Sequence, residues 1–470
     1  MIRSRSVLRV EKVPARRGAA PPGRLNLYRL AWLRAWLESR WPQFILRTLA
    51  LVGFVFTIAV GLLGSPVGSH NFAIIIVWIA WWTALKLVFI PLGGRSWCSV
   101  CPIPLPGEWL QQGGILSKGR GVGLNLRWPK RLKGSWLQSG AFLLIGLFSA
   151  VTLTDPRITA WVFLALFGLA AAMSLGFEKR AFCSYLCPIG GFSGIYAKTA
   201  PLEVRVIDRQ ICTKHSDKSC YRACPWGLYP VALRDSAVCG LCMECLRACP
   251  QDNLALNLRP FGEDIRSLHT AKRLPGSHRS LDAAFMALVM LGSALAFAAV
   301  FVGPWGGLKS AAFAIGSAGW WGYAAGFLAL NLLVLPGLFG SATWLGQKLS
   351  GSRIPLQREI SNQAQALLPL GLMAWIAFTV SFALPKLGYV LGVINDPLGW
   401  GWKLLGAGYT FWSPGVSRAG APLQATLLLG GLFWSLYVAR QVSADTPRGA
   451  LPVQVFALAF SLAMLWLLIG

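Results

Sequence analysis

The sequence predicts a mainly α fold: a polytopic helical membrane protein of about nine spans, with a small α+β insert on its cytoplasmic side. Three observations predict it. The 470 residues are 55% hydrophobic and only 13% charged, about half the charged share of an ordinary soluble domain. Apolar runs near the 20 or so residues that cross a bilayer recur at about 43–64, 72–92, 136–154, 158–177, 281–303, 319–339, 364–385, 422–440 and 451–469. Seven of the eleven cysteines crowd into one polar stretch, from Cys212 to Cys249.

Residues 1–42 form a basic arm. The formal charge of +27 raises nucleic acid as a partner, but where the cations sit sets that class aside. With the N-terminus inside, segments 1–42, 93–135, 178–280, 340–363 and 440–450 hold 37 of the 44 Lys and Arg, and the opposite loops hold five. Cytoplasmic retention of Lys and Arg explains such a split and predicts a multi-pass protein of a bacterial inner membrane, arm and insert cytoplasmic. Arg47 and Lys86 fall inside spans near their inner ends, where snorkelling to the interface accounts for them. The first apolar run begins after about 42 residues and is span-length, so it reads as an anchor and not a cleaved leader. Arg16-Arg17 precedes Gly-Ala-Ala-Pro-Pro, which lacks the apolar segment of a twin-arginine signal. Within 30–41, Trp32 and Trp36 stand one turn apart beside Arg34 and Arg40, which suits a helix lying on the membrane surface; a disordered basic arm is the alternative.

Residues 43–192 read as a duplicated two-span unit. One pair of spans leads into Arg95-Ser-Trp-Cys98-Ser-Val-Cys101-Pro102-Ile103, the next into Arg180-Ala-Phe-Cys183-Ser-Tyr-Leu-Cys187-Pro188-Ile189. The strings match residue type for residue type, apart from one inserted residue. Three roles fit Cys98, Cys101, Cys183 and Cys187: small buried packing residues, a dithiol/disulfide relay, or joint ligation of a further metal centre, since four thiolates suit a [4Fe-4S] cluster.

Residues 193–280 carry the other cysteines. Cys239-x2-Cys242-x2-Cys245-x3-Cys249-Pro250 is the ligand run of ferredoxins with two [4Fe-4S] clusters, in which the fourth cysteine of one string serves the other cluster. Cluster A then takes Cys239, Cys242, Cys245 and Cys224. Cluster B takes Cys212, Cys220 and Cys249 and lacks one cysteine. His215 stands near the missing position, and imidazole replaces thiolate in Rieske centres. Asp217, water or a [3Fe-4S] site are alternatives, and so is a plain loop histidine. Lys214, Lys218, Arg222 and Arg247 surround the strings, as cluster-tuning cations or as ordinary positive-inside residues. So small a domain depends on its clusters for folding.

The order of span pair, Cys-Pro motif, span pair, second Cys-Pro motif and ferredoxin segment resembles the membrane polyferredoxins of the NapH and MauN type and the membrane half of NosR. The resemblance covers about residues 43–260. It implies two cytoplasmic [4Fe-4S] sites passing electrons between the quinone pool and a respiratory or maturation system, with quinol and redox proteins as partners. Two departures stand: the first motif here is Cys-x2-Cys-Pro, and no large flavin-type domain precedes the first span.

Residues 281–470 form a five-span membrane domain with no cysteine and almost no ionisable residue within spans, which disfavours a pump or transporter. Trp320, Trp321, Trp400, Trp402 and Trp412 suit interfacial belts or a flat slot for a quinone ring. The sequence as a whole points to a membrane-bound electron carrier, or a subunit of a quinol dehydrogenase-type oxidoreductase, in contact with lipid and a redox partner protein. It presents no nucleophile, acid/base pair or phosphate loop. A membrane redox sensor or a metalloenzyme maturation factor with the same clusters is the alternative.

Overall fold

The computed structural model describes residues 23–114, 121–270, 281–406, 419–443 and 447–470. Residues 1–22, with Arg16-Arg17, and Trp412 lie outside the described residues. Eight helices among those described are long and apolar enough to span a membrane: Trp41–Leu63, Phe72–Gly93, Pro156–Gly176, Leu281–Phe301, Ala318–Ser350, Leu356–Lys386, Gly420–Val442 and Arg448–Ile469. The fold is mainly α and polytopic, as the apolar runs predict.

The count differs by one because the expected third span is broken. Trp136–Leu147 ends where Phe148 leaves helical geometry at φ −96°, ψ 14°, and Ser149–Thr152 continues as a short turn. The Leu147 carbonyl freed by the break accepts a hydrogen bond from the Tyr323 hydroxyl at 3.2 Å, and the Phe148 ring packs on Trp320, 5.5 Å between centroids. A satisfied carbonyl makes such a break tolerable at membrane depth. Asp155 then caps Pro156–Gly176 by accepting from the amides of Arg157 and Ile158.

Trp320 is therefore a buried packing residue and not a belt residue, whereas Trp321, Trp400 and Trp402 are exposed. Lys86 also departs from expectation. It does not reach the interface but is 1% exposed, with its ammonium 5.0 Å from the Trp82 ring, 5.3 Å from Trp375 and 5.8 Å from Phe378. Aromatic faces hold a cation through their quadrupole, more strongly away from water. The helix carrying Lys86 has two π-helical stretches, Ile75–Trp81 and Leu85–Phe89, each of which rotates the face presented by the following turn. Trp375 belongs to Leu368–Ala383, so this cage joins the N-terminal spans to the C-terminal ones.

The polar insert carries a three-stranded antiparallel sheet of order β1-β3-β2. β1 is Leu25–Asn26, β2 Leu202–Val206 and β3 Leu254–Leu258. The basic arm thus supplies an edge strand, and the helix Ala31–Glu38 follows it. Leu33 and Leu37 pack with Val204, Leu246 and Leu256 beneath the sheet, while Arg34 pairs with Asp252 at 2.8 Å. Trp32 and Trp36 are left exposed, at 70% and 50%. This stretch is an ordered amphipathic helix whose leucine face is taken by the insert. Behind the sheet, buried Arg259 binds Glu203 and Asp264, and Asp264 also accepts the Ser236 amide. That network fixes the loop entering Cys239.

Candidate iron–sulfur centres

All eleven cysteines are free thiols, and the fold gathers them into three neighbouring groups. Cys224, Cys239, Cys242 and Cys245 line one cavity together with Trp226 and Gly240. The fourth cysteine of the first string has therefore crossed to the second. The backbone of that string is shaped for sulfur ligation: Leu241 and Met243 both adopt left-handed geometry, φ 50° and 60°. With these turns the Leu241 amide points to the Cys239 sulfur and the Glu244 amide to that of Cys242. Inward-aimed amides of this kind form an anion-binding concavity suited to iron–sulfur sites. Gly240 is needed where it stands, because a Cβ there would lie 2.2 Å from the Trp226 ring. Burial pushes the Cys242 thiol up to about 12, so a thiolate here needs cationic compensation, which iron would supply.

Cys212, Cys220 and Cys249 make up the second group, each within electrostatic reach of the others. Asn253 joins two of them: its side-chain amide donates to the Cys212 sulfur at 3.3 Å and its backbone amide to that of Cys249 at 3.4 Å. His215 follows the helix Arg209–Lys214, and its Nδ1 is buried without a hydrogen-bond partner. Asp217 is engaged, accepting from Ser219 and pairing with Arg222. An orphaned imidazole nitrogen fits a ligand better than a carboxylate already committed elsewhere.

Cys98, Cys101, Cys183 and Cys187 form the third. The charges of Cys98, Cys101 and Cys187 all reach Cys183, and burial drives the Cys101 and Cys183 thiols upward. Each Cys-Pro-Ile step aims the isoleucine amide back at the cysteine sulfur, Ile103 to Cys101 and Ile189 to Cys187, and Gly190 also donates to Cys187 at 3.3 Å. Among the described residues no three His, Cys, Asp or Glu side chains converge tightly enough for a single ion.

The groups touch in series. Cys220 of the second lies within electrostatic reach of Cys245 of the first, while Cys98 of the third packs with Cys224, Trp226 and Cys242. Four residues without a role in the sequence reading hold this junction. Arg95 donates to the Cys183 carbonyl at 3.0 Å, and Arg180 to the Cys98 carbonyl at 2.8 Å. The Glu108 carboxylate binds Arg180, whose guanidinium lies 4.5 Å over the Trp226 ring. The two arginines had a visible mark: each stands three residues before the first cysteine of its motif.

Known proteins resemble parts of this chain. A family of 4Fe-4S binding domains matches residues 74–123 and 159–206, two stretches that each contain one Cys-Pro motif. The methylamine utilization ferredoxin-type protein MauN of Paracoccus denitrificans is 27% identical over 163 residues, 30% of this chain and 52% of the relative. The ferredoxin-type protein NapH of Escherichia coli is 22% identical over 207 residues, 37% of this chain and 66% of the relative. The uncharacterized protein MJ0749 of Methanocaldococcus jannaschii is 25% identical over 220 residues, 46% of this chain and 83% of the relative. The chain spans about half to two thirds of the length of the MauN and NapH relatives it matches. No solved structure matches. These findings bear out the resemblance to the ferredoxin-type proteins of the NapH and MauN type and to 4Fe-4S binding domains, in a chain with the helices of a polytopic membrane protein.

Proposed function

We propose that this protein carries single electrons between the quinone pool and a partner redox protein, as an electron-transfer subunit and not as a stand-alone enzyme. In this reading Cys224, Cys239, Cys242 and Cys245 hold one [4Fe-4S] cluster. Cys212, Cys220, Cys249 and His215 hold a second. Cys98, Cys101, Cys183 and Cys187 jointly hold a third iron–sulfur centre. Bound clusters supply one-electron carriage; the chain supplies thiolates, amides aimed at sulfur and a dry surround that keeps the centres apart from water. The observation that carries the reading is the contact series: three cysteine groups, each adjoining the next.

The orientation follows the cation split, with all three groups cytoplasmic in a bacterial inner membrane. Quinol is the expected donor or acceptor on the membrane side, next to the Cys-Pro group. The test is anaerobic purification in detergent, iron and sulfide analysis, and EPR-monitored titration with a short-chain quinol. Iron for three centres, with at least one reduced by quinol, is expected. Iron-free protein, or clusters reduced by dithionite but by no quinol at any ratio, overturns the reading.

A further inference from the structure

The two arginines of the repeat are exchanged across it. Arg95 belongs to the first motif and holds the first cysteine of the second; Arg180 belongs to the second and holds the first cysteine of the first. Both also reach the insert. Arg95 donates to the Ala237 carbonyl at 3.1 Å, two residues before Cys239. Arg180 covers Trp226, which lines the Cys224, Cys239, Cys242 and Cys245 cavity. Each guanidinium therefore lies between two cysteine groups, buried at 4% exposure for Arg95 and 3% for Arg180. Backbone carbonyls need no buried charge to satisfy them, and placing a cation here costs desolvation. One ion pair offsets part of that cost, since Glu108 binds Arg180.

We propose that Arg95 and Arg180 are paired positioning residues that set the potentials of two adjoining iron–sulfur centres together, the Cys98/Cys101/Cys183/Cys187 centre and the Cys224/Cys239/Cys242/Cys245 cluster. The inference rests on the three-centre reading above. A cation beside a cluster favours its reduced form, because reduction adds negative charge. A cation between two clusters favours reduction of both, so it raises both potentials in the same direction. Glu108 works in the opposite sense by partly neutralising Arg180.

Redox titration of the full-length, cluster-loaded protein tests this, with each centre followed by its own EPR signal. Arg180→Gln and Arg95→Gln are each expected to disfavour reduction of both centres about tenfold, which is about 59 mV for a one-electron couple. Glu108→Gln is expected to move both the other way, and Arg180→Lys to restore the wild-type values. Loosened packing alone would not give opposite signs for Arg180→Gln and Glu108→Gln. Should Arg180→Gln lose iron, the lysine variant and Glu108→Gln decide the matter between them. A shift confined to one centre, or the same sign from Arg180→Gln and Glu108→Gln, overturns the shared role and leaves the three-centre reading intact. Wild-type protein with iron for only two clusters overturns the three-centre reading and the shared role with it.

Discussion

Cys101 and Cys187 leave their helical turns with nearly the same backbone geometry, φ −58°, ψ 128° and φ −60°, ψ 118°, although their motifs differ in length by one residue. The Cys101 amide closes an ordinary α-turn on the Trp97 carbonyl, whereas the Cys187 amide reaches back five residues to Phe182. The inserted residue is thus stored as a single π-turn, Phe182–Leu186, and both Cys-Pro junctions meet the centre alike. Such turns recur at functional sites because they absorb an insertion without breaking the helix.

Deleting Ser184 should convert the second motif to the Cys-x2-Cys form of the first and keep its centre. Tyr185 stays in place to stack on Trp128, their rings now 5.1 Å apart and nearly parallel. Iron, sulfide and the EPR signal of that centre are expected to remain within error of wild type. Loss of the signal with the other clusters intact would mean that the π-turn itself shapes the site.

Asn253→Asp should lower the potential of the Cys212/Cys220/Cys249 cluster alone. The substitution keeps an acceptor for the Asp208 amide, which Asn253 binds at 2.9 Å, but removes the donor to the Cys212 sulfur and adds negative charge. Hydrogen bonds to cluster sulfur and net charge both set potential. Reduction should become about tenfold less favourable, or about 59 mV, with the neighbouring cluster unmoved. An equal shift in both clusters would place the effect elsewhere.

Much of this arrangement is legible in the sequence, because cysteine spacing and apolar run length are local. The crossing of Cys224 to the second string follows from the ligand run, and the gathering of both Cys-Pro motifs from the repeat. What stayed hidden depends on contacts between distant segments. The break at Phe148 needs the Tyr323 hydroxyl, 175 positions further on. The burial of Lys86 needs Trp375 and Phe378 from a helix whose apolar run says nothing of its neighbours. The edge strand at Leu25–Asn26 is two residues long, too short for any alternation to register.

Lys86→Met should be tolerated and should stabilise the membrane domain. The ammonium has aromatic faces for company but no carboxylate within the cage, and methionine is of similar length, flexible and apolar. Removing a poorly compensated buried charge is worth on the order of 1 to 4 kcal/mol when volume is kept. Thermal unfolding in detergent should rise for Lys86→Met and fall for Lys86→Glu, whose carboxylate the same aromatic faces repel. A methionine variant that unfolds earlier than wild type would show that the cation–π contacts outweigh desolvation.

Asp264→Asn should loosen the insert at neutral pH, and by the same amount at pH 5. Burial works against the Asp264 carboxylate, but hydrogen bonds from Arg259 and the charges of Arg259 and Arg205 hold it below its ordinary value of 3.8. A carboxyl lowered on folding contributes stability above its ordinary value, and that contribution is lost only as pH falls through the lowered folded one. Its loss removes one of the two carboxylates that pair with buried Arg259 and weakens the hold on the Ser236 amide, a change of about 3 kcal/mol for a broken buried pair. Because Ser236 leads directly into the loop held by Arg95, the cluster beyond Cys239 should report the change. Bleaching of visible cluster absorbance in denaturant is the measurement, compared for wild type and variant at pH 7, 6 and 5. The variant should bleach at lower denaturant with a constant gap across the series. A gap that closes between pH 7 and 5 would mean that Asp264 takes up its proton in the folded protein well above 3.8, and the ion pair with Arg259 would not be what anchors this loop.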